Sequence, residues 1–480
     1  EAVAIDDIKK FIAEQDLNAD RRFVPKKRHD YGNKIAIVGA GPSGLACAYY
    51  LAIDGYKVTV FEKQNALGGM LTLGIPSYRL EKNVVNAEID ILKELGVEFK
   101  TGVEVGKDIS LDELRKEGYE AFYLAIGAQS GRKLGIEGED AEGVISGVDF
   151  LLDINLGNEV DVTGDVVVIG GGNVAIDVAR TATRAGANTV EMFCLENREQ
   201  MPALDEEIHE AMSEDIGINN SWGPKGVLTE NGKVVGIEFK KCISVFDEEG
   251  RFNPKFDENE IKVVKADKIL LSIGQSIDWG GILEGSKVEL NRNNTINVDP
   301  FTLQSNEPDI FAGGDAATGP KFAIDAIALG KEGAISIHRY VQPGQDLILG
   351  RDKREFKAFD KENLDLAGFD RMPRQRIPQV DGSKSKTSFE DMRATLTEEQ
   401  VKQETERCLG CGATVVDEYL CIGCGQCTTK CKFDAISLVR KYDAVGVEFD
   451  ELKPVIVKNV VARKGRMLTH SVKKTFTGKK

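Results

Sequence analysis

The chain has 480 residues, 62 basic and 78 acidic, for a net charge of −16. That length exceeds one hydrophobic core and predicts about three or four domains, while the acidic balance argues against non-specific binding to nucleic acid. A composition of 41% hydrophobic and 29% charged residues is that of a folded globular protein. No apolar run approaches the roughly 20 residues of a membrane span. The opening stretch, EAVAIDDIKKF, lacks an initiator Met and shows no secretory signal.

Residues 1–31 read as an amphipathic helix carrying Val3, Ile5, Ile8, Phe11 and Ile12, followed by the basic connector RRFVPKKRHD. KIAIVGAGPSGLACAYYLAIDGYKVTVFEK then runs strand, glycine turn, helix, strand, and a similar unit recurs at residues 165–196. Two such units predict two nested Rossmann-like domains of an α/β protein. A third strand–turn–helix passage spans residues 309–341, and periodicity is lost from 342 to about 396, as in a connector that wraps a surface. TEEQ, at Thr397–Gln400, has the spacing of a capping box and starts a helix running towards Cys408. The tail from Lys458 to Lys480 is basic, without an acidic residue. It suits docking to an acidic partner or a solvated end. His209, in MPALDEEIHEAM, reads as a surface residue.

Gly39, Gly41 and Gly44 form G-x-G-x-x-G between the apolar strand Ile35–Val38 and a helix that includes Pro42 and Ser43. The first glycine permits the turn, the second admits a pyrophosphate, and the third allows helix and strand to touch. The helix N-terminus supplies N–H donors. Glu62 ends the next strand, where a carboxylate accepts bonds from a ribose. Gly170, Gly172 and Ala175, with Asn173 and Val174 between, form a second fingerprint after the strand Val166–Ile169. There Glu196 favours the free 2′-hydroxyl of NAD(H), whereas Arg198 offers a charge to the 2′-phosphate of NADP(H). The balance tilts to NAD(H).

Six of the nine cysteines fall within residues 408–431. They are too close together for a disulfide framework, which indicates metal ligation in a reducing compartment, the cytoplasm. Cys421, Cys424, Cys427 and Cys431 have the C-x2-C-x2-C-x3-C spacing of ferredoxin clusters. One [4Fe–4S] cluster takes the first three and a fourth thiolate from Cys408, Cys411 or Cys431. A second cluster is open, although six thiolates cannot fill two all-cysteine shells. A zinc ribbon built on Cys408, Cys411, Cys421 and Cys424 leaves Cys427 and Cys431 unexplained. Cys47, Cys194 and Cys242 are isolated and read as packing residues.

ALGGMLTLGIPSYRL (66–80), YLAIGA (123–128) and IFAGGDAA (310–317) resemble, in order, the FAD contacts of the pyridine-nucleotide-dependent disulfide reductase superfamily. With VVVIGGGNVAIDVARTATRAGA and REQMPA, they make residues 1–341 similar to the small subunit of glutamate synthase. Its relatives include the flavoprotein part of dihydropyrimidine dehydrogenase and the large subunit of electron-bifurcating transhydrogenases. The resemblance implies FAD contacts at Lys63, Gly69, Met70, Val105, Ala125, Gly127, Gly314, Asp315, Ala323 and Ile324, and a return to the flavin domain through LLSIGQSID at Gly274.

It further implies a flavin domain at 32–148 and 286–341 around an NAD(P) domain at 149–285. The linker would be 342–407, and a small α+β ferredoxin-like domain with its basic tail would be 408–480. Two departures stand out. Leu195 and Glu196 replace the family's paired arginines, and no cysteine precedes Cys47, where the family usually has a cysteine-rich region. The expected activity is hydride transfer from NAD(P)H to FAD and one-electron delivery through the cluster to ferredoxin or other subunits of a redox complex, with electron bifurcation as one form. No side-chain nucleophile or base is needed. The competing readings are a glutamate synthase small subunit proper and an electron-wiring subunit with a vestigial nicotinamide site. Thioredoxin-reductase chemistry would need a C-x-x-C, and residues 1–407 contain none.

Overall fold

The apolar run Ile35–Val38 lies in the middle strand, Lys34–Val38, of a five-stranded parallel sheet ordered Ile310–Ala312, Tyr119–Leu124, Lys34–Val38, Lys57–Glu62, Glu98–Thr101. Four of its five residues are buried, because helices cover parallel sheets on both faces. Phe61, Phe122 and Tyr123 are almost wholly buried, each side chain contributing about 2–3 kcal/mol of apolar transfer.

The structure is a computed structural model describing residues 2–351, 372–378, 381–408, 421–430, 436–439 and 451–476. It divides into two units. One comprises Lys10–Ile335 and Ile377–Thr395, the other Glu1–Lys9, Ser336–Arg376 and Leu396–Lys480.

The larger unit holds a second five-stranded parallel sheet, ordered Val144–Ser146, Lys268–Leu271, Asp165–Ile169, Thr189–Cys194, Gly217–Asn220. An antiparallel three-stranded sheet, Trp222–Glu230, Lys233–Phe246 and Phe252–Lys265, is inserted before the strand Lys268–Leu271. Phe193 and Phe239 stack with centroids 4.2 Å apart and fasten the insert to the parallel sheet. The chain leaves the first sheet and returns to it through two short strands, Ser130–Gly131 and Gln275–Ser276, which pair antiparallel. The α/β class with two Rossmann-like sheets is therefore as expected. Cys47, Cys194 and Cys242 are buried packing residues and His209 is exposed.

In the smaller unit Thr397 caps the helix Glu398–Glu406 through the expected box, its side chain accepting from the Gln400 amide while Gln400 returns to the Thr397 amide. Glu404 on that helix is fully buried. Its carboxylate accepts from the amides of Ala4 at 2.8 Å and Gln375 at 2.7 Å, and pairs with Arg407. The amino-terminal helix covers Ile5–Leu17, but Ile5 and Ile12 of its supposed apolar stripe are exposed. Most of the basic tail is helical, within Leu452–Phe476.

Candidate functional site

A cavity of about 480 Å³ opens beside the first glycine turn, within the range of cofactor sites, about 300–1,000 Å³. Gly39 has φ of +104°, and a Cβ there would lie 2.4 Å from the Ala125 carbonyl oxygen, so only glycine lets the first strand meet its neighbour. Gly41 caps the helix Pro42–Asp54, which has Pro at its first turn and no side-chain cap. The amides of that turn are therefore available to an anion. Gly69 approaches from the other side, where a Cβ would come within 2.7 Å of Gly41 Cα.

Gly39, Gly41, Pro42, Ser43, Glu62, Lys63, Gly69 and Met70 line this cavity, as do Val105, Ala125, Gly127, Gly314, Asp315 and Ala323. Gly44 and Ile324 do not. Gly44 packs beneath the turn, where a Cβ would meet the Gly39 carbonyl oxygen, and Ile324 is exposed. Glu62 is buried and its carboxylate accepts from the amides of Ala40 at 2.8 Å and Gln64 at 2.9 Å. Burial raises its pKa, with the amides opposing. Asp315 is likewise pushed up by burial, while its carboxylate accepts from the Lys321 amide at 3.1 Å. Ser43 shares a hydrogen bond with Tyr123 at 2.9 Å.

Asn173 and Val174, at the start of the helix Asn173–Arg184, reach the same cavity. Gly170 turns with φ of +143°, and a Cβ there would lie 2.3 Å from the Ser272 carbonyl oxygen. Gly172 caps the helix without a side-chain bond, and Ala175 is buried against the turn. A Cβ on Gly171 would come within 2.8 Å of Glu196 Oε2, so this carboxylate overlies the second turn. Arg198 is paired with Asp205 at 2.9 Å. Gly274 lies in the returning crossover, off the cavity wall. The sequence reading missed Arg79, Asp177, Gln129, Lys321 and Trp279, which also line the cavity. Only GIPSYRL offered a signal, for Arg79.

The pattern of donors and acceptors fits FAD: amide donors at an uncapped helix N-terminus, carboxylate acceptors at Glu62 and Asp315, and glycines where a Cβ would obstruct the cradle. For the cluster, Cys408, Cys421, Cys424 and Cys427 are exposed free thiols. Gly423 and Gly425 between them take positive φ, which lets that segment curl. Among the described residues no group of three Cys, His, Asp or Glu side chains is gathered as a ligand shell. Soft thiols at this spacing suit iron and sulfide. Cys411 and Cys431 lie outside the described residues.

The family model described as pyridine nucleotide-disulphide oxidoreductase matches residues 33–330. The chain belongs to this family. Residues 414–437 match a second model, the 4Fe-4S binding domain. The β subunit of the NADP(+)-dependent formate dehydrogenase of Moorella thermoacetica is 35% identical over 79% of the chain and 54% of its own length. The small chain of glutamate synthase [NADPH] of Escherichia coli is 33% identical over 71% of the chain and 75% of its own.

The chain thus spans little more than half of the first of these relatives. Mycobacterium tuberculosis FprA in complex with NADPH shares the fold, with a TM-score of 0.56 and 21% identity over 65% of this chain and 85% of FprA. As a member of the family the protein is an FAD-dependent oxidoreductase with a 4Fe-4S module at its C-terminal end. Among the described residues no helix is long and apolar enough to cross a membrane.

Proposed function

We propose that the chain takes electron pairs from a dihydronicotinamide dinucleotide at a bound FAD and passes them singly through a [4Fe–4S] cluster to a partner subunit or ferredoxin, in the cytoplasm. One observation carries this reading. The N-termini of the helices after both glycine turns, Pro42–Asp54 and Asn173–Arg184, open into one cavity. Hydride transfer needs its reacting atoms about 3–3.5 Å apart, and a shared cavity meets that need.

When bound, the flavin supplies the link between two-electron and one-electron chemistry. The chain's own work is geometric. Helix amides meet the pyrophosphates, Glu62 and Asp315 meet sugar hydroxyls, and walls such as Phe61, Met70 and Val105 exclude water. The thiolates of Cys421, Cys424 and Cys427, with a fourth from Cys408, Cys411 or Cys431, hold the cluster.

Glu196 over the second turn supports NADH, because a carboxylate there repels a 2′-phosphate. The names of the relatives, NADP(+)-dependent formate dehydrogenase and glutamate synthase [NADPH], support NADPH as the second reading. Their designation as β subunit and small chain supports a larger complex, of which an electron-bifurcating transhydrogenase type is one form.

Stopped-flow mixing of the oxidised protein with each nucleotide tests the proposal. We expect rapid loss of flavin absorbance with NADH, and slower loss with NADPH. A flavin bleached by neither would leave only an electron-wiring role.

A further inference from the structure

Tyr78 and Arg79, in GIPSYRL, connect the wall of the flavin side to the second nucleotide-binding sheet. Gly69, Met70, Gly74 and Ile75, just before them, line the cavity. Arg79 then reaches across. Its Nη1 donates to both carboxylate oxygens of Asp177 at 2.7 Å, and its Nη2 donates to Glu207.

Asp177 lies one turn beyond Asn173 on the helix Asn173–Arg184, and Glu207 lies on the helix Asp205–Ser213. Both carboxylates are buried, with side chains 8% and 9% exposed. The second oxygen of Glu207 has no hydrogen-bond partner, so Arg79 is its direct counter-charge. The Tyr78 hydroxyl reinforces the contact by donating to the Asp177 carbonyl at 3.2 Å.

The only covalent links between the two parallel sheets are the crossovers containing Ser130–Gly131 and Gln275–Ser276, which pair over two residues each. A two-residue ribbon is a pivot, since a few backbone torsions there can absorb a rotation. Any rotation about it that carries the helix Asn173–Arg184 away from Gly69–Ile75 must pull Asp177 and Glu207 off Arg79. Two buried carboxylates would then lose their hydrogen-bonded cation and keep only the more remote charge of Arg180, which lies on the same helix as Asp177. The contact therefore holds one orientation of the two sheets.

We propose that Arg79 is a positioning residue for hydride transfer: through Asp177 and Glu207 it fixes the nicotinamide-side helix at its working distance from the flavin wall. The inference rests on the proposed function. The reaction served moves one hydride, a proton with two electrons, from C4 of a dihydronicotinamide to N5 of the flavin. It leaves an oxidised pyridinium and a two-electron-reduced flavin. A displacement of about 1 Å at the reacting atoms costs about 100-fold in rate, whereas the amides and carboxylates that bind each dinucleotide stay within their own sheets.

The test uses the full chain loaded with FAD, as wild type, Arg79→Ala, Arg79→Lys and Asp177→Asn. Two measurements are made: stopped-flow flavin bleaching over a range of NADH concentrations, and hydrogen exchange without nucleotide. We expect Arg79→Ala to lower the limiting bleaching rate about 100-fold while the half-saturating NADH concentration moves less than about threefold. Arg79→Lys should recover part of that loss, and Asp177→Asn should fall between wild type and Arg79→Ala. Exchange should rise at residues 173–184 and 77–82 together in Arg79→Ala.

An unchanged limiting rate in an FAD-loaded Arg79→Ala protein overturns the proposal, as does a loss confined to NADH affinity. Should Arg79→Ala fail to fold, a Lys variant and an Asn variant that both bleach at the wild-type rate overturn it equally. A wild type bleached by neither nicotinamide refutes the functional reading instead. In that event unchanged exchange in the variants refutes the clamp on its own.

Discussion

The amide of Ala40 donates to Glu62 Oε2 at 2.8 Å, tying the glycine turn to the end of the neighbouring strand. The other carboxylate oxygen holds the Gln64 amide at 2.9 Å, so one buried side chain organises the glycine turn and the loop after the neighbouring strand, both at the cavity wall. Charge-assisted bonds of this kind contribute about 1.5–3 kcal/mol each. Replacing Glu62 by Ala removes both and leaves two amides without partners. We expect FAD affinity to fall by about 10- to 100-fold, read as the dissociation constant of flavin rebinding to the apoprotein. Retention of wild-type affinity would remove Glu62 from the cofactor site.

Glu214 is the acceptor for two guanidinium groups, at 2.7 Å from Arg180 and 2.7 Å from Arg184, and its side chain is 1% exposed. Burial alone would raise its pKa, but the hydrogen bonds from Arg184 and Arg180 outweigh that and hold it down at about 2. The unfolded chain takes up this proton near 4.5, whereas the folded chain resists until about 2. The contribution to stability is therefore complete above pH 4.5 and is lost as the pH falls towards 2. Glu214→Gln should destabilise the protein by about 3 kcal/mol at neutral pH, and its denaturation midpoint should fall less steeply in that acid window. Denaturant titrations of both proteins across the window check the slope.

How much of this site could be read in advance follows from the range of the forces involved. Gly39, Gly41 and Glu62 were legible because a turn, a close backbone approach and a carboxylate at a strand end are local demands, met within one strand–turn–helix–strand unit. Thr397 and Gln400 were legible for the same reason, since a capping box closes within four residues. The pairing of Arg79 was not, because its partners stand 98 and 128 residues away. An arginine in an otherwise apolar segment carries no mark of which acid it will meet. The exposure of Ile5 and Ile12 was hidden too, because periodicity identifies a helix without saying how much of its apolar face finds a neighbour.

Glu196 bears on the choice of dinucleotide. Its carboxylate overlies Gly171, while Arg198 is occupied by Asp205. Replacing Glu196 by Gln removes the repulsion of a 2′-phosphate and weakens the acceptor for a 2′-hydroxyl. We expect the NADPH-to-NADH ratio of bleaching efficiencies to rise about tenfold, the equivalent of about 1.4 kcal/mol. An unchanged ratio would show that the side chain does not face the 2′ position.

Cys424 stands in the middle of the C-x2-C-x2-C run, between Gly423 and Gly425, where the proposed cluster takes one of its thiolates. Every cavity-lining residue belongs to the unit Lys10–Ile335 with Ile377–Thr395, whereas Cys424 belongs to the other. Cys424→Ala should therefore separate the two halves of the activity. Anaerobically prepared variant should lose about four iron atoms per chain relative to wild type while retaining FAD and the wild-type rate of flavin bleaching by NADH. Turnover with a one-electron acceptor that requires the cluster should fall to background. Iron analysis beside flavin content checks the first part, and the pair of rates checks the second. Undiminished iron in the variant would exclude Cys424 as a ligand, of a cluster and of a zinc ribbon alike.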